Sequence, residues 1–417
     1  VKVVMLLGRS TGGIGTHVAQ LSADLRERGV EVIVVTHPLT AEHFDLGPVR
    51  LWWPGSSGPA HAVRDLARLR RLVRTADIVH AHGHQGALLG TIATLRGPQR
   101  RAPRVNGRGL RVSALRMPAF RVPTFRVPAF RAPAFRVPAF RAPKLIVSQH
   151  NAVLEGSGRQ GLKRGVQRWV ARHADLITGA SNDLVEEALR FGAARAKLAK
   201  VPSPRVPGLL AQQPADEQGR ATLRHTLLAS LGPDDLAGTD DTAPLVVTIS
   251  RIAPQKDLHV LVQAASRLSH PCTWVVVGDG DPLLLAQLRQ QARALAAPVC
   301  FVGASDQIGQ WLLAAEVFVL PSRWEARALV VQEAMAAGTP VVASDVGGLH
   351  DLVAGNGLLV PVGDPRAVAK ATDTVLARPD LRMELAAAGR KAAADLPNGS
   401  DTAAQWLAWY LETLLMT

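Results

Sequence analysis

The 417-residue chain is poor in aromatic residues, which make up 4% of it, and Tyr410 is its single tyrosine. Its two cysteines, Cys272 and Cys300, each lie beside an apolar run that reads as a strand. So few exclude a disulfide framework and a cysteine-based zinc site, and predict a buried reduced thiol at each position. No stretch of eighteen apolar residues occurs, which excludes a hydrophobic membrane-spanning helix. The opening VKVVMLL carries one lysine, turns at once to Gly8 and has no cleavage region, so no export signal and a cytoplasmic location are expected. Acidic residues are missing from residues 96–144, where twelve arginines and one lysine fall. Thirteen of the formal +14 charges therefore sit in that stretch and the rest of the chain is close to neutral. The global charge thus says little about the folded body.

What is present is a repeated alternation of strand and helix. Residues 3–7, 30–36, 78–82 and 145–149 are short, β-rich apolar runs separated by helical patterns such as 17–28 and 61–74. The pattern restarts at 245–249 and continues through 274–277, 299–303, 317–320, 341–343 and 357–360. Alternation of this kind predicts parallel α/β sheets, and the length predicts two such domains. Pro202, Pro204, Pro207 and Pro214 place a hinge near 203–210, and the polar, acidic residues 232–243 read as a mobile loop. The expected domains are 1–203, 204–400 and a terminal helix over 401–417 that packs back on the first domain. Ligands of open parallel sheets bind at the carboxyl ends of the strands, so two facing sheets would share one cleft.

One segment fits neither sheet nor helix. From Arg116 to Lys144 a five-residue unit repeats as RMPAF, RVPTF, RVPAF, RAPAF and RVPAF, closing with RAPK. A proline in every unit removes a backbone donor each time, so the tract reads as an extended or disordered insertion over about 98–144. A tolerated low-complexity insertion explains it most simply. Its regular Arg and Phe also suit contact with anionic lipid or, less well, nucleic acid.

The chemistry gathers in the second half. Arg251 and Lys256 in SRIAPQKD follow the strand LVVTIS, where cations would meet a diphosphate. Glu325 and Glu333 stand eight positions apart in PSRWEARALVVQEAMAAG, the first in a turn after a strand and the second inside a helical run. Carboxylates there suit sugar and ribose hydroxyls, and helix-entrance amides suit a phosphate. A hydrolase acid and base is the alternative for two carboxylates, but no second feature supports it.

These motifs resemble those of the family 4 retaining glycosyltransferases with the GT-B fold, over essentially the whole chain except the insertion. The resemblance implies two facing Rossmann-like domains with a cleft between them. It implies that Glu333 binds the donor ribose, that Glu325 contacts the donor sugar, and that Arg251 and Lys256 clamp the phosphates. Gly278, Asp279 and Gly280 in VVVGDGDP match the family's glycine-bearing loop, and Val302 opens the stretch near the base. Gly12 and Gly13 in GRSTGGIGTH match paired glycines that approach the diphosphate and acceptor. His82 in DIVHAHGH matches a pocket histidine, and His150 in LIVSQHN lies near the reacting sugar and suits hydroxyl or phosphate contact.

The chain departs from the family in three places. Ala326, Arg327 and Ala328, followed by Leu329, replace a glycine, aromatic, glycine run beside the donor; VPSPRVPG lacks the customary asparagine and glycine at the hinge; and Asp351 follows the paired glycines in place of Glu.

The implied reaction is transfer of a hexosyl unit from a nucleotide sugar to an acceptor hydroxyl by front-face substitution with retention, needing no metal and no cofactor besides the donor substrate. Several readings compete. The glycines near residue 13 form a loose dinucleotide fingerprint, but the second strand ends without an acidic ribose partner. His80, His82 and His84 would share a strand face and could bind zinc, although no carboxylate flanks them closely. A silent scaffold that binds membrane or nucleic acid, or an epimerase or phosphorylase of the same fold, are the remaining alternatives. The acceptor is a small molecule or a lipid-linked one. Two basic amphipathic stretches, 64–74 and 163–172, suit peripheral contact with an anionic membrane, although solvated helix faces explain them more simply.

Overall fold

The structure, a computed structural model, describes residues 1–10, 12–51, 53, 58–95, 142–151, 160–232 and 240–416. Most of the Arg-Pro-Phe repeat, and residues 233–239 of the acidic loop, lie outside them. Lys144, read as the end of the repeat, instead opens a strand. Chain contacts divide the protein into Val1–Thr94 with Pro143–Thr417 as one compact unit and Leu95–Ala142 as another.

Among the described residues the larger unit contains two parallel sheets. The first has seven strands: β1 (Lys2–Leu7), β2 (Glu31–Thr36), β3 (Val49–Arg50), β4 (Ile78–His82), β5 (Lys144–Gln149), β6 (Leu176–Gly179) and β7 (Ala196–Leu198). The second has six: β8 (Leu245–Ile249), β9 (Thr273–Val277), β10 (Val299–Phe301), β11 (Val317–Leu320), β12 (Val341–Ser344) and β13 (Leu358–Val360). Their orders are β3-β2-β1-β4-β5-β6-β7 and β10-β9-β8-β11-β12-β13. Both reverse direction of growth beside their first strand, so each has a switch point, at β1/β4 and at β8/β11, where a crevice opens outside the carboxyl ends.

Period-two alternation assigns the strand residues to two apolar layers per sheet. Val4 and Leu6 pack with Val79, Val147 and Ile177 on one face of the first sheet, while Val3, Met5 and Leu7 pack with Val18, Leu21 and Leu25 on the other. In the second sheet Val247 and Val275 face one layer and Val246 and Trp274 the opposite one. Burial on both faces is why these strands read as continuous apolar runs. Cys272 and Cys300 are both buried free thiols, and burial pushes the Cys272 thiol up to about 12.

The last helix, Gly399–Leu415, starts on a capping box in which the Asn398 side chain and Asp401 exchange bonds with each other's backbone. It belongs to the first sheet, since Ala403, Trp406, Trp409 and Tyr410 lie in the same layer as Val3 and Met5. Tyr410 Oη lies 2.7 Å from His80 Nδ1, His80 Nε2 lies 2.7 Å from Ser148 Oγ, and Ser148 Oγ lies 2.8 Å from Thr178 Oγ1. This buried chain of polar groups satisfies His80 within the structure. Between the sheets, Pro207 does not break the chain: it sits in the first turn of a short helix, Val206–Leu210, where its missing N–H is not needed. Among the described residues no helix is long and apolar enough to cross a membrane.

Candidate active site

At the second switch point, β8 leads into Arg251 and then a short 3-10 turn, Pro254–Lys256. Asp257 follows with φ 50, a left-handed conformation unusual for a residue with a side chain, and the carboxylate is gripped by Arg323 through two contacts of 3.2 Å. Gln255 Nε2 donates to the Trp324 carbonyl at 2.7 Å, and Arg323 N donates to the Gln255 carbonyl at 2.9 Å. The turn after β8 is thereby tied to the segment after β11, and Lys256 Nζ is brought 2.5 Å from Glu325 Oε1. Glu325 is buried, so this ion pair supplies the charge complement that a carboxylate out of water requires.

The neighbouring loops fit against each other with no room for side chains. A Cβ on Gly278, whose φ is 137, would overlap the carbonyl oxygen of Ser250, and one on Gly280 would overlap that of Ile252. The strand-end loop GDG is thus pressed against the backbone that carries Arg251, and Ile252 N donates to the Asp279 carbonyl at 2.9 Å. Asp279 Oδ1 faces Gly303, next to Val302, which packs against the core. Ala326 and Ala328 are buried, and Ala328 caps the helix Leu329–Ala337 without a side-chain bond, so that helix presents unfilled backbone donors. Burial lowers the Arg327 pKa from its usual value, partly opposed by the charge of Asp351. Glu333 is buried on the same helix.

The first sheet meets this assembly directly. A Cβ on Gly12 would lie 3.8 Å from Arg251 Nε, and one on Gly13 would lie 3.5 Å from Leu329. Further contacts join the halves after β6: Trp324 Nε1 donates to Asp183 Oδ2 and Asn182 Nδ2 donates to Asp351 Oδ2, both at 2.7 Å.

Histidines line the carboxyl ends of β4 and β5. His82 and His150 have ring planes 14° apart and centroids 5.5 Å apart, with His82 Nδ1 3.2 Å from His150 Nε2. That combination is met only when two nearly coplanar rings point nitrogen at nitrogen, so the pair shares one proton. His17, from the helix Gly13–Glu27, stands edge-on to both. The three present ring nitrogens within 4.8 Å of one another. In that pair the N–H of one ring points at the lone pair of the other, so these two nitrogens are taken up by each other, while His17 Nε2 and His82 Nε2 are buried without a hydrogen-bond partner among the described residues. The alternation His80, His82, His84 does not form one strand face, because β4 ends at His82 and His84 lies on the helix Gly83–Thr94.

Burial lowers the pKa of His17 to about 4 and of His150 to about 3, and holds His80 and His82 well below the usual value. Above pH 6.5, the ordinary histidine value, folded and unfolded chains both hold these rings neutral. Below it the unfolded chain takes up protons that the folded chain refuses, so stability falls as pH drops from 6.5 toward 4. His17 alone should cost about 3 kcal/mol at the lower end. Urea unfolding of the wild type and of His17→Gln across that range should show a shallower pH slope for the variant; identical slopes would contradict a neutral buried His17.

Of the residues singled out in the sequence, Gly12, Gly13, Arg251 and Leu329 come together, as do Lys256 with Glu325 and His82 with His150. Among the described residues no hydrogen bond or ion pair links the histidines to the Arg251, Lys256 and Glu325 group. Glu333 instead faces Ser203 and Arg205. His17, Ser203, Arg205, Asp183 and Trp324 were not anticipated. For His17 a signal existed, since it lies four positions after Gly13 on the helix and so beneath that glycine's loop.

Residues 243–378 match the model described as glycosyl transferases group 1, and residues 11–107 match that of glycosyltransferase family 4. The chain belongs to the family 4 glycosyltransferases. A D-inositol 3-phosphate glycosyltransferase of Jonesia denitrificans is 38% identical over 183 residues, 40% of this chain and 43% of that protein. An alpha-D-kanosaminyltransferase of Streptomyces kanamyceticus is 30% identical over 231 residues, 53% of this chain and 57% of that protein. The chain thus spans about half the length of the curated relatives it matches. Among solved structures, Anabaena HepE in complex with UDP and glucose superposes with a TM-score of 0.73 at 19% identity, covering 99% of each chain. WaaG, described as a glycosyltransferase involved in lipopolysaccharide biosynthesis, gives 0.64 at 14% identity over 97% of this chain and 98% of its own. This family 4 member therefore shares the two-sheet GT-B architecture with HepE over 99% of its length.

Proposed function

We propose that this protein transfers a hexosyl unit from a nucleoside diphosphate sugar to an acceptor hydroxyl with retention at the anomeric carbon, without a metal ion. The observation that carries the reading is the meeting of the Gly12–Gly13 backbone with Arg251 and Leu329, beside the Lys256–Glu325 pair. Glycines let a phosphate approach the main chain, and Arg251, Lys256 and the uncapped helix at Leu329 supply positive potential for the leaving diphosphate. Glu325 accepts from sugar hydroxyls and Glu333 from the ribose. With the leaving phosphate taking the acceptor proton on the same face, bond breaking and bond making need no covalent intermediate. Arg327 adds a cation where the family resemblance implies an aromatic residue, and it shapes which sugar fits.

HepE is described in complex with UDP and glucose, and relatives are named as a D-inositol 3-phosphate glycosyltransferase and an alpha-D-kanosaminyltransferase, which supports a uridine donor and a polyhydroxylated acceptor. Lipid-linked acceptors are compatible with the basic helices Pro59–Val73 and Gln160–His173. Calorimetric titration with UDP, ADP and GDP sugars should reveal one donor. Glu333→Ala should weaken it about tenfold to hundredfold through lost charge-assisted bonds to the ribose. Failure of every nucleotide sugar to bind the wild type would overturn the reading.

A further inference from the structure

Residues 201–205 carry the chain from β7 toward the second sheet, and they are bonded to the helix that holds Glu333. Gln332 accepts from Ser203 N at 3.2 Å and donates through Nε2 to the Val201 carbonyl at 3.0 Å. Ser203 Oγ donates to Glu333 Oε1 at 2.5 Å, and Arg205 Nη1 reaches the same oxygen at 3.3 Å. Ser203, Gln332 and Glu333 are buried, while the Arg205 side chain is 53% exposed. None of the described bonds reaches Oε2. A buried carboxylate whose bonds come only from neutral donors is costly, and a guanidinium at its edge offsets that cost without filling the remaining oxygen.

We propose that Arg205 is a positioning residue for nucleoside recognition: it anchors Glu333 by Oε1 so that Oε2 is presented to the ribose diol. The proposal rests on the reading of Glu333 as the ribose acceptor. It also explains what the unusual hinge sequence VPSPRVPG does, since Ser203 and Arg205 are the two hinge residues that touch the donor-site carboxylate. Because Arg205 acts on Glu333 and not on the reacting atoms, its removal should weaken ground state and transition state alike. KM for the donor then rises while kcat holds.

The test compares a ribonucleoside diphosphate, whichever of UDP, ADP and GDP the wild type binds, with its 2′,3′-dideoxy counterpart on wild type, Arg205→Ala and Arg205→Lys. Arg205→Ala should bind the ribonucleotide about tenfold more weakly and the dideoxynucleotide within about twofold of wild type. Arg205→Lys, which keeps the charge, should recover most of the loss. Equal affinity of Arg205→Ala and wild type for the ribonucleotide would overturn the proposal. So would an equal loss on both ligands, which would make Arg205 a phosphate contact. If the wild type binds the two ligands equally, the ribose reading itself fails and the proposal with it; Glu333→Ala on the same ligands separates these cases.

Discussion

Lys256→Ala should lower donor turnover by about two to three orders of magnitude, the usual effect of deleting a preorganised charge that stabilises a developing anion. In the folded chain Lys256 stands with Arg251 beyond the end of β8 at the second switch point, and Glu325 is its only described ion-pair partner. The diphosphate gains charge as the glycosidic bond stretches, so the larger part of the loss belongs in kcat and the smaller part in KM. Single-turnover kinetics on the variant measure this, with Lys256→Arg as the charge-preserving control. Turnover within about threefold of wild type would remove Lys256 from the phosphate clamp, since even a modest transition-state contact is worth more than that. Folding should be checked in parallel, because Glu325 is left buried without its cation.

Gly348→Ala should destabilise the protein by about 4 kcal/mol or more, in the range that follows only from a forced clash or an unpaired buried charge. A Cβ there would overlap the carbonyl oxygen of Ala326 and lie 3.2 Å from Ser181 Cβ, and Gly348 N donates to the Glu325 carbonyl at 2.9 Å. Both neighbours on the second sheet are main chain, which cannot swing aside as a side chain can. The backbone displaced is the one that carries Glu325, so surviving activity should fall with stability. Urea unfolding gives the stability and the donor affinity gives the site; a variant within 1 kcal/mol of wild type, the size of an ordinary surface substitution, would show that the two segments are separable.

Much of the architecture was legible because doubly buried parallel strands are written as nearly continuous apolar runs. Residues 2–7 and 245–249 could hardly be read otherwise, and each is followed at once by the loop that carries function. Strands β3, β6 and β7 escaped: Val49–Arg50 is too short to show a period, and Leu176–Gly179 and Ala196–Leu198 merge with the helices around them. The Arg251, Lys256, Glu325 group was readable from local spacing, since all lie just beyond strand ends. Partners that meet only in three dimensions were not. Nothing near Arg205 announces Glu333, 128 positions away, and Trp324 with Asp183 is a pair of that same kind. His17 sits in an otherwise ordinary amphipathic helix, where only its spacing of four from Gly13 marked it.

The return of the last helix has a consequence for synthesis. Trp406 and Tyr410 complete a layer that also holds Val3, Met5 and Leu7, which emerge from the ribosome long before them. At 5–20 residues per second, the roughly two hundred residues between β7 and that helix take on the order of ten to forty seconds to make. Throughout that interval one face of the first sheet lacks the part of its cover that the last helix supplies, and the second sheet, which has its own two layers, can finish before it. The half that is begun first is therefore the one whose layer is completed last.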